Sequence, residues 1–218
     1  MPGPKGESEM RFWRQLGVRK GVIRDGVFQG ASLGNAHYEG IFTTHFGLST
    51  DFFTGKRVLD IGCGPCGSLE WATMAAERVG LDPLAEDYRE FGIDRHAMRY
   101  ATAPAEDIPF ADASFDVVAL LNSLDHVDDI RRAIAEASRV STDGATLLLT
   151  VEVRHRPTAA EPHWLDWDVV DQFDAWTVVW SARNGIRRDH NLYLSVDEDR
   201  PYRSRRGLLR ARLVRNSR

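Results

Sequence analysis

The stretch Lys56–Trp71, KRVLDIGCGPCGSLEW, governs how the rest of the chain is read. Val58-Leu59-Asp60-Ile61 is a short apolar run of the kind that forms a buried strand, and it runs into the glycine turn Gly62-Cys63-Gly64-Pro65-Cys66-Gly67. Leu69, Trp71, Ala72, Ala75 and Ala76 then follow a helical period, so a helix is expected after the turn. Strand, glycine turn and helix make a cradle for a nucleotide-type ligand. Glycines let backbone N–H groups approach it, and a helix N-terminus adds partial positive charge.

Three chemistries compete for that cradle. Cys63-Gly64-Pro65-Cys66 reproduces a thioredoxin-type CxxC between strand and helix, which suggests thiol exchange. The acid in the strand, Asp60, and the alternating strands and helices downstream oppose it. Gly62, Gly64 and Gly67 also spell G-x-G-x-x-G, with Asp82 at about the distance of a ribose contact, as in an NAD-binding oxidoreductase. Here Asp60 is again the objection, because a carboxylate a few ångströms from a diphosphate costs on the order of a few kcal/mol in a partly dry turn. S-Adenosylmethionine has no phosphate and ends in an ammonium. Asp60 can attract that ammonium, and Asp82 can take both ribose hydroxyls.

Outward from the cradle, strands and helices alternate. Strands are expected at Arg78–Asp82, Met98–Ala103, Phe115–Leu121 and Ala145–Val153, with helices over Leu84–Phe91 and Ile130–Val140. This spacing predicts an α/β fold with a doubly wound, mostly parallel sheet. Beyond Arg154, a helix is expected over His163–Phe173 and strands at Trp176–Trp180, Leu192–Val196 and Leu209–Val214, some antiparallel at the sheet edge. Arg200 to Arg218 carries eight arginines and no acids. Leu209, Ala211 and Leu213 alternating with Arg210 and Arg212 fit an edge strand with a solvated basic face. Before the cradle, residues 1–8 read as frayed, Glu9–Leu16 as a short amphipathic helix and His37–Phe46 as a second helix carrying aromatics. The chain therefore divides into a helical lid, residues 1–54, and a main domain, residues 55–218.

Composition narrows the class further. The chain has 218 residues and a net charge of −4, which gives no global pull toward nucleic acid or anionic membranes. No apolar run approaches a membrane span, the opening MPGPKGESEM lacks the apolar core of a signal peptide, and two cysteines make no disulfide framework. A cytoplasmic protein is expected, and nothing sets its oligomeric state. Histidines and cysteines show no metal-ligating spacing, so no metal is expected.

Taken in order, VLDIGCGPCG (58–67), VGLDP (79–83), AEDIPF (105–110), FDVVALLNSLDHV (115–127) and DGATLLLTV (143–151) resemble the class I S-adenosylmethionine-dependent methyltransferase family. The resemblance implies the Rossmann-like fold, S-adenosylmethionine as cofactor and S-adenosylhomocysteine as product. It implies that Asp60, Gly62, Cys63 and Gly64 hold the methionine end and that Asp82 and Pro83 hold the ribose. Ala105, Glu106 and Asp107 would line the adenine, and Asn122 would lie beside the methionine. Pro104 stands where the family often has an acid, so the adenine contact falls to Glu106 or Asp107.

Catalytic candidates come from the loop after the fourth strand, at the carboxyl end where open α/β sheets place their sites. His126 is the candidate base and Asp125 its neighbour, because histidine titrates near neutral pH. His37, Tyr38, His45 and His163 are further pocket candidates. The expected reaction is methylation of a small-molecule hydroxyl, on a sugar or secondary metabolite. The other expectations kept open are a non-catalytic cofactor-binding subunit and an NAD-binding oxidoreductase.

Overall fold

The computed structural model describes residues 3–19, 23–24, 27–28, 34–203 and 206–217. Its centre is a seven-stranded sheet of β1 (Arg57–Ile61), β2 (Glu77–Leu81), β3 (Arg99–Ala101), β4 (Phe115–Leu121), β5 (Ser141–Val153), β6 (Trp176–Gly185) and β7 (Gly207–Arg215). The spatial order is β3-β2-β1-β4-β5-β7-β6. The first five strands are parallel, and β7 runs antiparallel between β5 and β6. Chain order reverses between β1 and β4, which opens a crevice at their carboxyl ends.

Both faces of the central strands are buried, and alternate residues serve opposite layers. Leu59, Ile61, Val118, Leu120, Leu147 and Leu149 pack with the helix α3 (Ile130–Val140) through Ala133, Ala137 and Val140. Asp129 caps that helix, its carboxylate accepting from the Arg132 N–H at 3.1 Å. On the other face, Val58, Val117, Ala119 and Leu148 meet Ile41, Phe42, Phe46 and Phe53.

Those aromatics divide the expected lid. The helix α2 (Tyr38–Phe42) and the 3₁₀ turns Thr44–Phe46 and Thr50–Phe53 form one wall of the core. Phe42, Phe46 and Phe53 are fully buried, each contributing roughly 2–3 kcal/mol by removal from water. Only α1 (Pro4–Arg19) lies across the crevice, and it is longer than the expected Glu9–Leu16 and begins within the stretch read as frayed.

No helix follows the glycine turn, contrary to expectation. Residues 62–76 are a chain of turns, with Glu70 bonded to Gly67, Ala72 to Leu69 and Ala75 to Ala72 through the backbone. The physical reason is occupancy. Trp71 packs against Phe42 and Phe53 at ring separations of 5.8 and 5.0 Å, so N-terminal aromatics hold the layer a crossover helix would fill. The expected helix over Leu84–Phe91 is a 3₁₀ turn, Asp87–Phe91, and that over His163–Phe173 is one at Trp167–Gln172. Leu192–Val196 is not a strand but part of the short helix α4 (Leu192–Asp197), started by Asn191 accepting from the Leu194 N–H.

The basic strand is also corrected. β7 is internal, and β6 is the edge. Arg210 is buried, donating to Asn184 Oδ1 at 3.1 and 2.8 Å and to the His45 carbonyl, with its guanidinium over the Trp180 ring. Alternation is real in this strand, but the arginine face is covered by the N-terminal wall. Among the described residues no helix is long and apolar enough to cross a membrane.

Candidate active site

Two buried carboxylates frame the glycine turn. Asp60, on β1, is flanked in register by Gly80 and Ala119, which leave room for its side chain. It is 3% exposed and accepts from the Ser68 hydroxyl. Burial pushes its pKa up to about 7, with Ser68 opposing the rise. Asp82, just past β2, accepts from the Gly64 N–H at 3.1 Å and the Leu84 N–H at 2.9 Å. Its pKa is also about 7, raised by burial and then by the Glu9 carboxylate. Acids held this far from water are arranged to receive a cation or hydroxyl donors.

The turn itself requires glycine. Gly62 has φ +76°, and a Cβ there would lie 2.4 Å from Ser123 Cβ. Ser123 in turn donates to the Ile61 carbonyl at 2.7 Å, tying the loops after β1 and β4 together. Cys63 fills a different gap, its sulfur lying 2.5 Å from where a Gly80 Cβ would stand. Burial pushes the Cys63 thiol well up, the reverse of what a redox nucleophile needs. Both cysteines are buried and neither is in a disulfide, and no helix N-terminus follows to activate them.

The helix α1 straps the crevice from one side to the other. Lys5 donates to the His126 carbonyl and to Asp128 at 3.0 Å, both beyond β4. Eight residues on, Trp13 lies against Gly64, with Cζ2 3.0 Å from the site of a Cβ. Glu9 accepts from the Tyr88 hydroxyl at 2.9 Å and the Trp13 indole at 3.3 Å, and Arg14 pairs with Glu90. Met10 anchors the strap in an apolar cluster with Cys66, Leu84, Tyr88, Phe91 and Ile93.

Asn122 ends β4 in the left-handed region, φ +57°, and its buried side-chain oxygen has no hydrogen-bond partner. An acceptor left over at the carboxyl end of the sheet is a vacancy for a donor such as an ammonium. The turn Leu124–His126 follows. Asp125 is buried, and its carboxylate faces His155 more closely than His126: Oδ2 to His155 Nε2 is 3.4 Å, and Oδ1 to His126 Nε2 is 4.0 Å. His126 is one-third exposed and lies 3.7 Å from Glu161. The Asp125 carboxylate raises the His155 pKa.

Other sequence candidates scatter. His45 is buried in the N-terminal wall, bonded to Asp197 at 2.8 Å, and burial lowers its pKa. His163 donates to the Val127 carbonyl at 2.8 Å, which pins the loop beside the cluster. His37 stacks on Tyr38 at 4.5 Å and approaches Tyr193 at 6.5 Å. Tyr38 and Tyr193 both feel the charges of Asp60 and Cys66, so burial and those neighbours push both phenols up. On the adenine side, Ala105 is buried and Pro83 and Asp107 are exposed. Glu106 accepts from the Asp128 and Asp129 N–H groups at 2.6 and 3.0 Å, holding the loop before α3.

Sequence reasoning missed Trp13, Glu9, His155, Glu161 and Tyr193. None stands in a motif. His155 lies beyond the end of β5 and Glu161 in the following loop, so only the adjacency of β4 and β5 brings them to Asp125.

A strand order of 3-2-1-4-5-7-6 with a glycine turn between two buried acids defines a Rossmann-like methyltransferase domain. Residues 59–149 match the family model described as a methyltransferase domain. That match takes in less than half of the chain, and together with the fold it supports the class I S-adenosylmethionine-dependent methyltransferase family. It is 33% identical over 115 residues to an O-methyltransferase of Aspergillus nomiae, covering 49% of this chain and 51% of that protein. It is 31% identical over 126 residues to the demethylmenaquinone methyltransferase of Thermobifida fusca, covering 55% and 52%. The chain thus spans about half the length of the curated relatives it matches. Among solved structures, an S-adenosylmethionine-dependent methyltransferase from Mesorhizobium loti aligns with a TM-score of 0.57 at 16% identity, over 75% of this chain and 92% of that one. The [4+2]-cyclase SpnF aligns at 0.60 and 18% identity, over 87% and 85%. These likenesses concern the fold.

Proposed function

We propose that this protein binds S-adenosylmethionine in the crevice between β1 and β4 and transfers its methyl group to a hydroxyl of a small molecule. The observation that carries this reading is the pair Asp60 and Asp82, buried on either side of Gly62 and Gly64. A buried acid beside the first glycine suits an ammonium and repels a diphosphate. The residues fit the cofactor: Asp60 and Asn122 Oδ1 for the ammonium, backbone N–H groups of the turn for the carboxylate, and Asp82 for the ribose. When bound, S-adenosylmethionine supplies an electrophilic methyl group on a sulfonium.

The chain's own residues then orient and deprotonate. Asp82 is held by the Gly64 and Leu84 N–H groups, so its carboxylate is in place before the ligand arrives. Acceptor activation falls to the cluster Asp125, His126, His155 and Glu161 rather than to His126 backed by Asp125 alone, since Asp125 is turned toward His155. The helix α1 is the lid, and it must leave Gly64 for a ligand to reach the turn. Curated relatives named as O-methyltransferases support a hydroxyl acceptor.

Calorimetry with S-adenosylmethionine, S-adenosylhomocysteine and NAD tests the reading. The two sulfur nucleosides are expected to bind and NAD is not, while Asp82→Asn weakens the homocysteine product by about tenfold or more, as loss of charge-assisted hydrogen bonds requires. Tight NAD binding without the other two ends it. A screen of hydroxyl-bearing metabolites with a labelled methyl donor then identifies the acceptor.

A further inference from the structure

We infer that Asp125, His126, His155 and Glu161 form a binding site for a first-row divalent transition-metal cation at the carboxyl end of β4 and β5. Asp125, His126 and Glu161 each present a ligand atom, and the three atoms lie within 4.8 Å of one another. His155 stands beside this trio, with its Nε2 3.4 Å from Asp125 Oδ2. Ligands bound to one cation at about 2.1 Å stand roughly 3–3.4 Å apart at tetrahedral or right angles. The Asp125–His126, His126–Glu161 and Asp125–His155 separations of 4.0, 3.7 and 3.4 Å reach that spacing with an inward shift of about half an ångström.

Two orphaned atoms point independently to a ligand. The Asp125 and His155 side chains are 1% and 4% exposed, yet Asp125 Oδ1 and His155 Nε2 have no hydrogen-bond partner. Both aim into the cluster. His155 Nδ1 lies 3.0 Å from the Arg156 carbonyl, which can only accept, so Nδ1 carries the proton. In neutral His155 the Nε2 lone pair then faces a carboxylate across 3.4 Å. A cation between them satisfies both. The Lys5 ammonium is instead bound to the His126 carbonyl and Asp128.

Donor chemistry selects the metal class. Two imidazoles and two carboxylates suit zinc, cobalt or manganese better than magnesium, which prefers oxygen and water. His126 and Glu161 are one-third and 29% exposed, so the site can load from solvent. No metal is expected from the sequence, because four residues from two loops have no linear spacing. Within the proposed function, which this inference deepens, the cation would lower the pKa of an acceptor hydroxyl bound to it. Cation binding itself is measured without methyl donor or acceptor, so its failure leaves the cofactor reading standing.

The test is calorimetric titration of the untagged full chain with Zn²⁺, Co²⁺ and Mg²⁺, together with Co²⁺ absorption and thermal melting. Zn²⁺ and Co²⁺ are expected to bind at one equivalent and raise the melting temperature, with Mg²⁺ weaker. Glu161→Gln, at a partly exposed position, and His155→Gln are expected to weaken Co²⁺ by at least about tenfold while remaining folded in the absence of metal. If His155→Gln fails to fold, Glu161→Gln alone decides. Affinity weaker than about 1 mM for every cation overturns the site and leaves an imidazolium–carboxylate pair. Affinity unchanged in Glu161→Gln, or a thiolate charge-transfer band marking Cys63 and Cys66, overturns it as well.

Discussion

The Trp13 indole lies against Gly64, 3.0 Å from the point where a side chain would begin, so α1 occupies space that the ligand cradle offers. Removing the indole should open it. Trp13→Ala is expected to speed association of S-adenosylhomocysteine by about tenfold, the helix no longer competing for the turn. Stopped-flow binding reads this directly. An unchanged association rate would show that Trp13 is not in the way.

Asp60 and Asp82 make stability depend on pH. Each is raised to about 7 in the folded chain from an ordinary 3.8, so folding favours the protonated form. That contribution is fully present below the unfolded value and is lost as pH rises through 7. Between pH 6 and 8 each acid removes about 1 kcal/mol. Urea melts without ligand should show lower stability at pH 8 than at pH 6, with a shallower fall in Asp60→Asn. A flat profile between those pH values would contradict the burial of both groups.

Gly62 and Gly144 separate two kinds of glycine requirement. Both have positive φ, +76° and +73°, but only at Gly62 would a Cβ meet another group, Ser123 at 2.4 Å. Gly144→Ala is expected to cost about 1 kcal/mol for the left-handed backbone. Gly62→Ala should cost about 3 kcal/mol, since the loops after β1 and β4 must separate. Equal costs in denaturant melts would mean that these loops are not in contact.

How much was legible depended on whether neighbours in sequence are neighbours in space. The core strands and α3 follow from period and apolarity, and Asp60 and Asp82 follow from their place beside glycines. The helix after the turn failed because Phe42 and Phe53 reach back onto Trp71, a contact that no local period encodes. Arg210 and Arg212 read as solvated because alternation cannot reveal that His45 and Trp180 cover that face. His155 and Glu161 were invisible for the same reason: their partner Asp125 is on another strand's loop.

Those two arginines give a fourth prediction. Arg210→Met leaves Asn184 Oδ1 and the His45 carbonyl without their donors and should destabilise by about 2–3 kcal/mol. Arg212, whose buried Nε has no partner, should tolerate methionine within about 1 kcal/mol. Chemical denaturation distinguishes them, and similar values would restore the picture of a solvated face.

The place of β7 between β5 and β6 bears on biosynthesis. β6 joins the sheet only through β7, which is made later. While Gly207–Arg215 is still inside the ribosome, the outer edge of β5 and the whole of β6 have open backbone donors and acceptors, with Val178 and Val179 exposed. The strand that closes this gap brings an arginine at 210, 212 and 215. Charge at these positions keeps that segment from pairing with a second nascent chain before it slots home. These arginines thus guard assembly first, and once it is complete Arg210 is buried and Arg212 and Arg215 are half-buried.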